Sequence, residues 1–251
     1  MSDEPQLRWT SAARTDVGLV RSRNEDAFLE LPARRMWAVA DGMGGHAFGE
    51  VASKMVVDAL GILDEPASLQ QAVADARTGL VAANAALLAE AAARQVPVIG
   101  STVVVLLAYE REAACVWAGD SRIYLCRASK LYQLTRDHNL FEELQIKNNL
   151  SPDEALAYPG ASMITRALGA ADTLEPEEVE VQVEDGDLFL LCSDGLSNEV
   201  GPEGMLAALG SGDCARAADA LLALALANGG RDNITVVVVR ADVGGRNSTL
   251  P

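Results

Sequence analysis

Apolar and polar positions alternate along this chain in two distinct rhythms. From Glu50 to Leu63, Val51, Met55, Val56, Leu60 and Leu63 recur at helical spacing. From Ala67 to Arg94, Leu69, Val73, Ala76, Leu80 and Leu87 do the same. A third helix is predicted over Cys214–Asn228, stopped by Gly229-Gly230. Short runs rich in Val, Leu and Ile predict strands at Met36–Ala40, Thr102–Tyr109, Ala114–Ala118, Arg122–Cys126, Val179–Val183, Asp187–Cys192 and Ile234–Arg240. Several of these runs are too uniformly apolar for a sheet with one wet face, so sheets covered on both sides are expected. Strands and helices come in blocks, which favours α+β layers of antiparallel sheet over a doubly wound parallel sheet. The mixed polar segment from Asp137 to Ala167 predicts a small helical insertion, and the tail from Gly244 to Pro251 is expected to fray. No repeat, linker or low-complexity tract interrupts the pattern.

Composition adds limits. The chain has 251 residues, 49% apolar and 22% charged, an ordinary globular mixture with ample capacity for a core. Its formal charge of −16, from 36 acids against 20 bases, disfavours non-specific nucleic-acid binding. No continuous apolar run approaches the roughly 20 residues that span a bilayer, so no membrane partner is expected. The polar start "MSDEPQLRW" does not read as a secretory signal. Cys115, Cys126, Cys192 and Cys214 show no paired-ligand spacing and read as buried free thiols, consistent with a cytoplasmic protein.

The chemistry gathers where strands end. "WAVADG" ends at Asp41, "CVWAGDS" at Asp120 and "FLLCSDG" at Asp194, while "GGRDNITVVVV" places Asp232 and Asn233 just before a strand. "VRSRNEDAF" sets Arg21, Arg23, Glu25 and Asp26 ahead of another apolar run. Each Asp-Gly alone is most simply a turn, because Asp caps its own turn and Gly accepts positive φ. Several acids at strand ends can instead converge on one rim of a sheet stack, where they repel unless protonated or bridged by cations. Oxygen donors without a Cys or His cluster suit hard cations such as Mg²⁺ or Mn²⁺. Two such ions roughly 3.5–4 Å apart form a hydrolytic centre for phosphate esters, with a bridging hydroxide as nucleophile. Arg21 offers a planar fork for two phosphate oxygens, or is a solvated arginine beside Glu25.

Other chemistries fit less well. "DGMGGH" lacks the lysine and Ser/Thr of a phosphate-cradling loop, and an acid at its entrance repels anions. His46 and His138 are the only histidines, and neither has a Ser or Cys nucleophile beside it. A lone histidine is more often a hydrogen-bonded structural residue than a catalyst.

Taken in order, "VRSRNEDAF", "VADGMGGHAFGEVAS", "GSTVVVLL", "WAGDSRIYL", "LTRDHN", "ITRALG", "LCSDGLSNEV" and "GGRDNITVVVV" resemble the metal-dependent protein phosphatases of the protein phosphatase 2C family, in their compact bacterial form. The resemblance runs from Arg21 to Val239. It implies a four-layer α-β-β-α sandwich of two antiparallel sheets flanked by helices, within one domain over residues 1–243 carrying a flap at about 137–167. It also implies two Mn²⁺ or Mg²⁺ ions held by Asp41, the Gly42 carbonyl, Asp194 and Asp232, with Glu25 and Asp26 reaching metal directly or through water. Asp120, with Asp194, matches a third, weaker site. Arg21 matches the phosphate-clamping arginine, and Asn233 would orient Asp232. The implied activity is hydrolysis of phosphoserine and phosphothreonine in proteins by direct attack of a metal-bridging hydroxide. The implied partners are a Hanks-type Ser/Thr kinase and its substrates, and a monomer is expected. Alternatives are a catalytically silent phosphatase fold that binds a partner, or a hydrolase of small phosphate esters. Met43 stands where some family members carry a histidine, and Gly160-Ala161-Ser162 stands where bacterial members often carry a more basic stretch.

Overall fold

A computed structural model describes residues 6–43 and 48–243. His46 and the tail from Gly244 lie outside the described residues. The strands are β1 (Leu7–Asp16), β2 (Asp26–Leu31), β3 (Met36–Met43), β4 (Gly100–Ser101), β5 (Val103–Tyr109), β6 (Glu112–Ala118), β7 (Arg122–Arg127), β8 (Lys130–Gln133), β9 (Glu177–Gln182), β10 (Asp187–Cys192) and β11 (Ile234–Val243). The helices are α1 (Phe48–Gly61), α2 (Leu69–Arg94), α3 (Leu140–Asn148), α4 (Pro152–Leu156), α5 (Asp194–Ser197), α6 (Pro202–Leu209) and α7 (Cys214–Asn228). One sheet runs β1-β11-β10-β7-β8, the other β2-β3-β5-β6-β9 with β4 pairing β3. All named strand pairs are antiparallel.

The uniform strands are explained by burial on both faces. In β3, Met36, Ala38 and Ala40 pack toward α1 and α2, while Trp37 and Val39 point into the space between the sheets. In β11, Val236 and Val238 join the layer of α6 and α7, while Val237 and Val239 face the opposite sheet. Alternation therefore sorts side chains between two apolar layers rather than between core and water. The result is the expected four-layer α-β-β-α sandwich, with three apolar clusters between its two helical layers and two sheets. All four cysteines are buried free thiols.

Some elements differ from the sequence reading. β1 carries the polar run "LRWTSAARTD" and is half-buried, yet it pairs with β11 over its whole length. An edge strand tolerates such polarity, so the apolar pattern that reveals inner strands is missing. β8, "KLYQ", is an edge strand for the same reason. The inward face of α1 is Ala52, Ser53, Val56, Val57 and Leu60, so Val56 and Leu60 are buried as expected, Met55 and Leu63 pack against the core from its margin, and Val51 is only half-buried. The first turns of α1 present the small Gly49, Ala52 and Ser53 where the helix lies against β2 and β3. α2 starts at Leu69 because Ser68 caps it, accepting from Gln71 N at 3.1 Å. Its Leu69, Val73, Ala76, Leu80 and Leu87 are buried as expected. Although no continuous apolar run is long enough, α2 has the length and apolar composition to cross a membrane, with 39% of the relevant window buried.

The segment 137–167 contains α3 and α4, capped by Asn139 and by a reciprocal Ser151–Glu154 pair. Its two ends are stitched together by Leu140 N to Met163 O (2.9 Å) and Phe141 N to Ala161 O (2.8 Å).

Phe189 is fully buried between the sheets, its ring 6.2 Å from that of Trp9. Phe189→Ala is expected to lower unfolding free energy by about 3–5 kcal/mol through the cavity it leaves. Urea unfolding checks this: the midpoint should fall at unchanged slope.

Candidate metal and phosphate site

Five acidic residues meet at the rim where both sheets end. Asp26 opens β2 and Asp41 lies near the end of β3; the two are direct cross-strand partners. Asp120 occupies the turn between β6 and β7, Asp194 begins α5 straight after β10, and Asp232 precedes β11. Chain topology, not sequence proximity, brings them together.

The backbone around each acid is pinned. Asp41 donates its N–H to Thr102 Oγ1 (3.1 Å), and its carbonyl accepts from Thr102 N (2.9 Å) and Ser101 Oγ (3.0 Å). Thr102 Oγ1 lies 2.7 Å from Ser121 Oγ, which ties Asp41 to the turn carrying Asp120. Asp26 Oδ2 accepts from Ser193 Oγ (2.7 Å), whose oxygen accepts from Thr235 N (3.0 Å). Asn198 Nδ2 donates to Asp194 Oδ2 at 3.2 Å. Ser101, Thr102, Ser121 and Ser193 escaped the sequence reading as site residues. Their only trace in the sequence is a hydroxyl at the end of an apolar run, and each is at most 1% exposed.

Gly42 is required by close approach. A Cβ there would collide with the Gly49 carbonyl and sit 2.7 Å from Glu25 O. Gly49 is constrained likewise, with Glu25 Cδ 2.7 Å from where its Cβ would be. These two glycines let the first turn of α1 close onto the end of β3 and hold the Glu25 side chain against it.

Asn233 behaves differently from expectation. Its side chain clamps the 17–25 segment: Oδ1 accepts from Glu25 N (2.7 Å), and Nδ2 donates to Val17 O (2.9 Å) and Arg23 O (2.8 Å). The contact to Asp232 is made instead by the Asn233 backbone N–H, which donates to Oδ1 at 2.9 Å. Arg21 Nη2 donates to Asp232 Oδ2 at 2.6 Å, and the arginine is largely exposed. That pairing raises the Arg21 pKa still further.

The acids perturb one another strongly. Burial pushes the Asp41 carboxyl well up, reinforced by Asp26, Asp194, Asp120 and Asp232 in turn. Burial likewise raises Asp26 and Asp194, the latter next through Asp232, while a hydrogen bond from Asp41 opposes the rise in Asp194. Asp120 is pushed up to about 7 by burial, then by Asp194 and Asp137. Buried oxygens without a hydrogen-bond partner point to the natural resolution: Asp26 Oδ1, Asp120 Oδ1 and Asp194 Oδ1 are all of this kind. Among the described residues no three acidic, His or Cys side chains already enclose a single point. Hard, all-oxygen donors with spare buried lone pairs nevertheless fit the chemistry of a divalent oxygen-seeking cation, which takes water alongside carboxylates in its shell.

His138 is bound into the structure rather than poised over the acids. Its Nδ1 accepts from Gly119 N (3.1 Å), so the neutral ring carries its proton on Nε2, 3.2 Å from Glu177 Oε1. Trp117 stacks on the ring at 6.0 Å. Burial, and then Arg166, lower its pKa. Met43, at the end of β3, bears no titratable proton.

Raised folded-state carboxyl pKa values have a definite sign in linkage. The folded protein holds protons that the unfolded chain releases near pH 4, so stability falls as pH rises from about 4 toward 7. In chelator, thermal unfolding is expected to occur at progressively lower temperature across that interval. Saturating Mn²⁺ should flatten or reverse the trend, as scanning calorimetry at stepped pH can show.

Comparison with known proteins agrees with this layout. The family described as Protein phosphatase 2C matches residues 20–219. The Ser/Thr protein phosphatase PstP of Mycobacterium tuberculosis is 41% identical over 233 residues, covering 92% of this chain. The chain spans 44% of that protein's length. Among solved structures, PppA, described as a key regulatory component of T6SS in Pseudomonas aeruginosa, superposes with a TM-score of 0.88 at 41% identity, covering 95% of this chain and 100% of that one. The catalytic domain of PstP in complex with two manganese ions gives a TM-score of 0.84 at 39% identity, covering 94% and 99%. With most of its length matched and its acids gathered on one rim, the chain belongs to the protein phosphatase 2C family.

Proposed function

We propose that this chain is a metal-dependent protein phosphatase acting on phosphoserine and phosphothreonine. The observation that carries this reading is the set of orphaned buried carboxylate oxygens on Asp26, Asp120 and Asp194, gathered beside an accessible Arg21. Asp41, the Gly42 carbonyl, Asp194 and Asp232 would hold two divalent cations, Mn²⁺ or Mg²⁺, with Glu25 and Asp26 contributing directly or through water. Asp120 and Asp194 would hold a third, weaker ion. Bound there, such cations supply Lewis acidity toward phosphoryl oxygens and make water more acidic.

The chain's own residues do the rest. Arg21 exchanges its pairing with Asp232 for two phosphate oxygens, offering a fork to charge that builds on the transferring group. Its exposure allows this exchange without opening the core. Asn233 holds the Arg21–Glu25 segment to the rim, and Asn198 fixes the rotation of Asp194. Water adds to phosphorus as the bond to the Ser or Thr oxygen breaks. The departing oxygen takes a proton ultimately supplied by that water, since Met43 has none to give.

A protein substrate is supported by the segment 137–167, whose Ile146, Leu156, Tyr158 and Met163 are exposed apolar side chains. In this reading that segment is the flap of one phosphatase domain, working as a monomer in the cytoplasm. PstP, a Ser/Thr protein phosphatase by name, lends weight to a role opposing a Ser/Thr kinase.

Mn²⁺-dependent hydrolysis of a phosphothreonine peptide is the direct test. Asp194→Asn should lower kcat by about 100-fold or more, the scale of losing one electrostatic stabiliser. Equal rates in wild type and variant would defeat the mechanism. Arg21→Ala should mainly lower kcat for the peptide, by about tenfold or more, through loss of a charge-assisted contact that strengthens as charge builds on the transferring group. Catalytic efficiency toward the peptide should exceed that toward a small aryl phosphate; the reverse order would identify a small-ester hydrolase.

A further inference from the structure

The turn that carries Asp120 is gripped by the root of the flap at two points. His138 N donates to Gly119 O at 2.9 Å, and Gly119 N donates back to His138 Nδ1 at 3.1 Å. Three residues along the turn, Arg122 grips both oxygens of the Asp137 carboxylate with one guanidinium edge, Nε at 2.9 Å and Nη2 at 2.7 Å. Gly119 itself sits at φ +115°, and a Cβ there would be 2.6 Å from Thr102 Cγ2. The turn therefore has little freedom of its own, and its position follows its partners.

The other edge of His138 reaches the opposite root of the flap. Its carbonyl accepts from Thr165 N at 2.8 Å. Its Nε2 and the Arg166 guanidinium converge on Glu177 Oε1, at 3.2 and 3.3 Å. Arg136 approaches the same carboxylate at 3.6 Å. One imidazole thus touches the Asp120 turn through Nδ1 and, through Nε2, the point where the flap returns to β9.

We propose that His138 is a positioning residue that couples the flap to Asp120, so that placement of the Asp120 carboxylate for a cation and seating of the flap are set together. The inference rests on the phosphatase reading only in taking Asp120 as a cation ligand. Coupling of this kind is reciprocal: a cation held by Asp120 must steady the flap as much as a seated flap favours the cation. His138 touches neither substrate nor cation; it acts through Gly119 and Glu177. The two ring nitrogens divide the work, which makes the proposal separable by isosteric substitution. In His138→Asn, the amide oxygen can replace Nδ1 as acceptor for Gly119 N, but nothing reaches Glu177. In His138→Gln, the longer amide can reach Glu177, but the Gly119 acceptor is lost.

The test uses Mn²⁺ alone and two readouts that need no turnover. Calorimetric titration counts ions and ranks their affinities. Trypsin cleavage after Lys147, an exposed residue at the end of α3, reports flap seating with and without Mn²⁺. In wild type, Mn²⁺ should slow that cleavage by at least about fivefold, the low end of ordinary coupling between sites. Asp120→Asn should abolish the protection and the weakest ion together. His138→Asn should keep the weakest ion and lose the protection. His138→Gln should lose affinity for that ion by at least about fivefold, with cleavage slow in both states. His138→Ala should lose both. Wild-type protection surviving in His138→Ala overturns the proposal, as does parallel behaviour of the Asn and Gln variants at equal melting temperature. Absence of any tight Mn²⁺ binding in wild type overturns the metal reading as well, which separates the two failures.

Discussion

Everything at the rim follows from carboxylates that cannot stay charged and buried side by side. Asp26, Asp41, Asp120 and Asp194 each have a raised pKa because burial and neighbouring acids both oppose ionisation. Such an arrangement costs stability, and a fold optimised only for stability would have replaced it with apolar side chains. Its persistence is intelligible as a site that exchanges protons for divalent cations. The fully buried strands behind it provide the stiffness that lets the acids be held against their repulsion.

The sandwich is well suited to that duty. Antiparallel pairing brings Asp26 and Asp41 opposite one another, while Asp194 and Asp232 flank the β10–β11 pair of the other sheet. Because the inner strands β3, β5, β10 and β11 are covered on both faces, the acids that follow or precede them sit where those strands emerge toward water. The polar scaffold beneath the acids is built from hydroxyls rather than charges. Ser193 links Asp26 to β11, and Thr102 with Ser121 links Asp41 to the β6–β7 turn. Hydroxyls donate and accept at once, so they satisfy backbone groups without adding charge to a crowded site.

The flap is joined to this rim by polar contacts, whereas the sheets are joined by apolar packing. Arg122–Asp137 and the convergence of His138, Arg136 and Arg166 on Glu177 are directional contacts at the flap's two roots. Asn84 on α2 adds another, accepting from Gly169 N at 2.7 Å just beyond the flap. The flap itself offers Ile146, Leu156, Tyr158 and Met163 to solvent and buries little of its own surface. A segment of that kind draws its order from its hinges, which places it at the less stable end of the structure.

Much of this was legible in the chain itself. Doubly apolar strands announced sheets covered on both faces, and helical periodicity announced α2 and α7, because those signals come from burial of repeating positions. Acids at strand ends announced a site, since Asp-Gly after an apolar run is a local pattern. Edge strands β1 and β8 left no such trace, because half of each faces water or a neighbour's rim. The periodicity placed Val56 and Leu60 of α1 in the core but passed over Ala52 and Ser53, whose small side chains give a weak apolar signal although they lie inward. Only the tertiary structure decided which lone polar residues matter. Thr102, Ser121 and Ser193 gain their partners across 19 to 167 residues of chain. Asn233 turned out to anchor the Glu25 segment rather than to aim Asp232 through its side chain, and His138 to bridge a turn and a flap. Periodicity and composition are properties of neighbours in sequence; hydrogen bonds between strand ends exist only once the sheets have paired.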